Sequence, residues 1–265
     1  MKGKSLLVIV GASALAVAMI SCGNKQESTS EAPASAPAAS AGKPVDAATA
    51  GSVTGTVKLD GAAPKMKMIN MAAEPVCAKV HTTPAMTEDV VVGDANALEN
   101  VVVYLKGDFS AYSFPPATSP VTIDQKGCQY TPHVLALQTG QPLQVINSDQ
   151  TTHNIHPVPK DNREWNESQP PGSAPINQSF AREEVAIPVK CNVHPWMKSY
   201  IAVLGNPYFQ VTGKDGSFSL KNVPPGTYTL VAWHELYGPT EQSVTVAASQ
   251  EQKVNVTVKA TAGSD

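Results

Sequence analysis

Four side chains could share one metal ion. Cys191, His194 and Met197 stand together in Cys191-Asn192-Val193-His194-Pro195-Trp196-Met197. His153 comes earlier, in Asn147-Ser148-Asp149-Gln150-Thr151-Thr152-His153-Asn154. A thiolate and a thioether are soft donors that favour Cu(I), and imidazole tolerates both copper oxidation states. One thiolate, two imidazoles and one thioether make the ligand set of a type 1 copper site. Such a site has no open position for substrate, so the expected chemistry is electron transfer rather than catalysis. Zinc suits the set less well, because a thioether is a poor zinc ligand. A buried Cys with hydrogen-bonded His and no metal is the other reading. His156 lies three residues after His153, so on spacing alone either could ligate; on a strand the two face opposite sides and would not bind one ion together.

A ligand set drawn from distant positions needs a rigid frame, and the sequence reads as β. Ser52–Leu59 alternates apolar and polar residues up to the turn Asp60-Gly61. Further strands are expected at Asn100–Lys106, Val134–Leu137, Leu143–Ile146, Thr152–Ile155, Val185–Lys190 and Tyr200–Leu204. Five more follow at Phe209–Thr212, Phe218–Leu220, Thr227–Trp233, Ser243–Val246 and Lys253–Val258. The Cys191–Met197 run then falls in the loop between two of these strands. Residues 63–96 read as loop, and residues 157–178, with five Pro, as a second long loop. No long helical stripe with capping signals occurs, so the expected class is all-β.

Two resemblances sharpen this reading. Cys191-x2-His194-Pro195-x-Met197 with the upstream Asn-x5-His153-Asn154 resembles the cupredoxin family, most closely its amicyanin-like members. The resemblance spans about residues 134–204. It implies a Greek-key sandwich with His153, Cys191 and His194 in a trigonal plane, Met197 as weak axial ligand, and Asn154 bracing the two loops. The Asn after His153 favours that histidine over His156. It also implies that the imidazole edge of His194, beside Pro195 and Trp196, reaches the surface as the exit for electrons. Separately, Asp215-Gly216 followed by Val223-Pro224-Pro225-Gly226-Thr227-Tyr228 resembles the carboxypeptidase-regulatory-like, transthyretin-like sandwich. That family's first strands resemble Gly51–Val57 and Asn100–Leu105. Together these imply a discontinuous sandwich, residues 52–118 with 206–260, split by a cupredoxin domain at 119–205.

The N-terminus reads as a targeting segment. Lys2 and Lys4 precede an uncharged apolar run, Leu6–Ile20, which ends at Ser21-Cys22-Gly23. This resembles a bacterial lipoprotein signal (residues 1–21) with lipidation at Cys22. Gly23, where Asp would retain the chain in the inner membrane, points to the outer membrane facing the periplasm. Residues 22–51, rich in Ala, Ser, Pro and Gly, read as a disordered tether with a reach of roughly 30 Å. Three cysteines remain in an oxidising compartment. Cys77 and Cys128 are expected to pair, leaving Cys191 for the metal. A second metal centre at Cys77-x3-His81 or Cys128-x4-His133 is the alternative. His234 reads as a surface or packing residue.

Composition excludes other functions. The 265 residues carry 19 Lys plus Arg against 22 Asp plus Glu, a net charge of −3, so no basic face for nucleic acid is expected. No CxxCH haem motif, GxSxG elbow or HExxH zinc motif occurs. With only six His, the additional copper sites of an oxidase or nitrite reductase are not expected. The leading expectation is a lipid-anchored electron carrier with one type 1 copper and a redox protein as partner. The competing ones are a surface binding module with a structural copper, and a copper-handling protein.

Overall fold

The computed structural model describes residues 42–260, and nearly all regular structure in them is strand. The strands in chain order are β1 (Gly51–Asp60), β2 (Val102–Lys106), β3 (Val121–Lys126), β4 (Gln129–Thr131), β5 (Val134–Gln138) and β6 (Leu143–Asn147). Next come β7 (His153–Pro157), β8 (Glu167–Gln169), β9 (Ile176–Gln178), β10 (Glu184–Lys190), β11 (Lys198–Leu204) and β12 (Phe209–Val211). The last are β13 (Ser217–Val223), β14 (Gly226–His234), β15 (Gly238–Val246), β16 (Glu251–Lys253) and β17 (Val256–Lys259). A short helix, α1 (Pro75–Lys79), and a 3-10 turn lie between β1 and β2.

Two sheets bring the ends of the chain together. β1 pairs antiparallel with β13 and, along its other edge, parallel with β16 and then β17. The second sheet is antiparallel, in the order β12-β2-β14-β15. The alternation of β1 turns Val53, Val57 and Leu59 into one core with Leu105 of β2, Phe218 and Leu220 of β13, Leu230 of β14 and Val258 of β17. Gly55 is required where the backbone passes from β16 to β17, since a Cβ there would lie 1.7 Å from the Val254 carbonyl oxygen. Gly216, at φ +66°, supplies the left-handed residue of the turn before β13.

The intervening residues form two more sheets, β5-β11-β10-β7-β8 and β4-β3-β6-β9. Their facing side chains, among them Ile123, Leu137, Val145, Ile155, Ile187 and Ile201, close a second core. Between the two sandwiches Val102 and Trp233 pack on Val134, Ala202 and Leu204. This contact explains why the end of β14, Leu230–His234, is buried at every position.

Three sequence expectations need correction. Residues 157–178 are not all loop, because β8 and β9 lie within them. β3 and β4 belong to the second sandwich and were not anticipated. The tether expected over residues 22–51 stops short of 51: Lys43 exchanges backbone hydrogen bonds with Ala111 and Ser113, and Gly51 already belongs to β1. Ala- and Pro-rich composition lowers the drive to bury side chains but leaves backbone pairing available. The signal segment, Cys22 and the rest of the tether lie outside the described residues.

Candidate metal centre

His153 opens β7 and is fully buried, whereas His156, three residues on, is only partly buried. β10 and β11 pair antiparallel up to Lys190↔Lys198, and the seven residues between them form a tight loop. The Met197 N–H donates to the His194 carbonyl at 2.9 Å, and the Cys191 N–H to the Met197 carbonyl at 3.3 Å. This closure brings Cys191, His194 and Met197 to one end of the sandwich beneath His153.

The ligand atoms of His153, Cys191 and His194 all lie within 4.8 Å of one another. His153 Nδ1 is 2.9 Å from His194 Nδ1, and Cys191 Sγ is 3.8 Å from His194 Nδ1. None of the three is exposed by more than 3%, and Met197 is buried in the same cluster. The Cys191 sulfur also receives the backbone N–H groups of Asn154 (3.5 Å) and His194 (3.4 Å). Burial alone would raise the Cys191 thiol, but His153 and these backbone donors outweigh it and hold the thiol below its usual range. That favours the thiolate a metal needs. Burial would likewise depress His153, yet Asp149 and Cys191 raise it. His194 is depressed, by burial and by its His153 neighbour, so it is held as neutral imidazole. Two imidazole nitrogens and a thiolate converging in a buried place, with Met197 in the same core, fit a soft ion that alternates between one and two positive charges.

Asn154 ties the two halves of the site. Its Oδ1 accepts the Asn192 N–H at 2.5 Å, its Nδ2 donates to Asn166 at 2.6 Å, and its carbonyl accepts the Tyr130 hydroxyl at 2.6 Å. His156 is not brought to the centre: its ring contacts Glu164 and Asn192 instead. Past Met197, Lys198 pairs with Asp89 and lies 3.5 Å from Glu235, which also pairs with His133. This network fastens the far end of the ligand loop to the turn after β14.

The cover over the site departs from the sequence reading. His194 was expected to reach the surface; it is fully buried, with Nε2 3.7 Å from Cys77 Sγ. Cys77, on α1, is joined to Cys128 in a disulfide, and both are buried. The Trp196 indole N–H donates to the Cys128 carbonyl at 3.0 Å, and its ring lies 5.2 Å from that of His194. The segment after β1 therefore folds over the imidazole edge, a placement invisible to motif spacing because Cys77 is so distant in sequence. With both thiols in one bond, the alternative centres at Cys77-x3-His81 and Cys128-x4-His133 lose their sulfur ligands. His81 bonds the Gly127 carbonyl instead. Of the two readings of His234, packing is the one observed: it is buried and stacked on Tyr237.

One participant escaped the sequence reading altogether. Asp149 Oδ2 accepts from His153 Nε2 at 2.9 Å, on the side of the ring away from the centre. Its position four residues before His153 was the available signal, but a carboxylate in an Asn-Ser-Asp turn reads first as solvent-facing.

The site thus belongs to an all-β chain with a buried Cys–His–His–Met cluster. A family model of the carboxypeptidase regulatory-like domain matches residues 201–259. No curated protein matches the chain. Among solved structures, it is similar to a Cu-containing nitrite reductase from Thermus scotoductus SA-01, with 19% identity over 37% of this chain and a TM-score of 0.30; the match spans about a quarter (24%) of that enzyme. A purple cupredoxin from Nitrosopumilus maritimus is 21% identical over 31% of this chain and 97% of its own, with a TM-score of 0.27. A Cu(I) amicyanin mutant is 16% identical over 38% and 97%, with a TM-score of 0.28.

Proposed function

We propose that this chain is a type 1 copper protein that carries single electrons in the bacterial cell envelope. It would be anchored through lipid on Cys22 in the outer membrane, face the periplasm and exchange electrons with a redox protein. The observation that carries the reading is the convergence of His153, Cys191 and His194 within 4.8 Å, buried beside Met197. These four would hold the ion, and copper there would supply a one-electron couple. The protein's own part is to keep the donors fixed and dry, which limits rearrangement between the two oxidation states. In this reading residues 119–205 are a cupredoxin domain inserted into a carboxypeptidase-regulatory-like sandwich built from 52–118 and 206–260. The pairing of β1 with β13, β16 and β17 supports that split. A closed centre under a disulfide suits retention of the ion rather than its delivery to another protein. With its donor residues all buried, we assign the centre electron transfer rather than enzymatic turnover.

A visible spectrum of the copper-loaded protein tests the reading. An intense thiolate-to-copper band is expected, and Cys191→Ser should abolish it. A band that survives in Cys191→Ser, or no band in the parent, rejects the assignment.

A further inference from the structure

A buried carboxylate needs a reason to be there, and Asp149 is 7% exposed behind a candidate ligand. Its two oxygens accept three N–H groups. Oδ1 takes the Gly127 N–H at 2.7 Å; Oδ2 takes the Cys128 N–H at 2.7 Å and faces His153 Nε2 at 2.9 Å. Its own N–H donates to Asn147 Oδ1 at 2.9 Å. Gly127 and Cys128 both have left-handed backbone, φ +64° and +53°, which aims their N–H groups into one small concavity. The disulfide from Cys128 to Cys77 pins that turn from outside. Two fixed backbone donors hold the carboxylate where it can grip an imidazole.

A carboxylate only accepts, so the His153 nitrogen facing it must carry the hydrogen. That leaves the lone pair on Nδ1, the nitrogen that points at His194 and the cluster. We propose that Asp149 is a positioning residue of the metal centre: it fixes the tautomer of His153 and raises its donor strength, so that the poise between the two oxidation states is set from behind the ligand. The inference rests on the copper reading above. Its logic is general. A negatively charged partner on the far nitrogen makes imidazole a stronger donor and favours the more highly charged ion. His194 has no such partner, since its far nitrogen meets the Cys77 sulfur. The two imidazoles are therefore inequivalent, one backed by charge and one by an apolar disulfide.

Asp149→Asn in the full chain tests this. Carboxamide keeps the shape and removes the charge. Relative to the parent, the Cu(I)-to-Cu(II) equilibrium should shift at least tenfold toward Cu(I), about 59 mV upward in midpoint potential for one electron. Copper(II) affinity, read by competition with a chelator, should fall about 10- to 100-fold. The thiolate band should persist, because Asp149 is not a ligand. A Cu(I)-to-Cu(II) equilibrium within a few-fold of the parent's, with the band intact, overturns the proposal. Should the variant fail to fold, nitrogen-15 NMR of the metal-free parent, at a pH where the ring is neutral, decides the matter: His153 must show a protonated Nε2 and a bare Nδ1, and the opposite tautomer overturns the proposal. A parent that binds no copper with a thiolate band is a separate outcome, which rejects the function itself.

Discussion

Removing the disulfide by Cys77→Ala with Cys128→Ala should be the most revealing stability experiment, because the bridge closes a long loop and also covers the site. The cysteines are 51 residues apart, and the enclosed chain includes β2 and the passage from one sandwich into the other. Restoring that loop's freedom to the unfolded chain is worth roughly 14 cal/mol/K, about 4 kcal/mol at 25 °C. For a protein of this size that corresponds to a fall in Tm of about 8–16 °C. The variant also loses the Cys77 contact to His194, so the imidazole edge opens to solvent. Urea unfolding followed by tryptophan fluorescence gives the stability, and the rate at which an external chelator strips copper gives the closure. The unfolding free energy should drop by about 4 kcal/mol and stripping should accelerate, while the thiolate band is retained. A double variant within about 1 kcal/mol of the parent, losing copper no faster, would refute the view that the segment after β1 is a covalently fastened cover.

The remaining predictions concern acid stability and domain integrity. Burial pushes the His234 imidazole from 6.5 down to about 4, against the pull of Glu235. Between those values the unfolded chain binds the extra proton, so this contribution is intact above about pH 6.5 and is lost as the pH falls toward 4, by on the order of 3 kcal/mol. His234→Phe, which keeps a ring against Tyr237, should flatten the dependence of unfolding free energy on pH across that window; an unchanged slope would contradict it. A fragment of residues 206–265 should not fold cooperatively, because β13, β16 and β17 would lose β1, and β12 and β14 would lose β2. A sharp thermal transition in that fragment would show that the C-terminal stretch is self-sufficient.

Strands were readable where burial is one-sided or complete. β1 alternates cleanly, and β5 and β11 are apolar runs. β3 was hidden by polar residues at inward positions: Gln125 is fully buried because its Nε2 donates to Gln169 Oε1 at 2.6 Å. Gln169, also fully buried, caps the Val145 and Ala174 carbonyls and so gives the three-residue β8 a reason to exist that composition conceals. The candidate ligands were legible because loop closure demands close spacing and softness demands particular residue types. What spacing cannot convey is what comes to lie against the ligands from elsewhere. The burial of His194 by Cys77 and the grip of Asp149 on His153 both depend on the turn at Gly127–Cys128 being brought to the same end of the sandwich.

The buried cluster holds three sulfurs from cysteine, Cys77 and Cys128 in their bond and Cys191 free beside the histidines. During maturation this poses a problem of choice, since any two of three neighbouring thiols could oxidise together, and two of the three pairings would destroy the centre. On the copper reading, an ion captured by Cys191 would withdraw that thiolate from exchange and leave Cys77 and Cys128 only each other. The same bond, once made, also lies against the His194 edge of the proposed site. On the copper reading, loading before oxidation would yield the right bridge and the filled site together, whereas oxidation first would leave three thiols to choose among themselves.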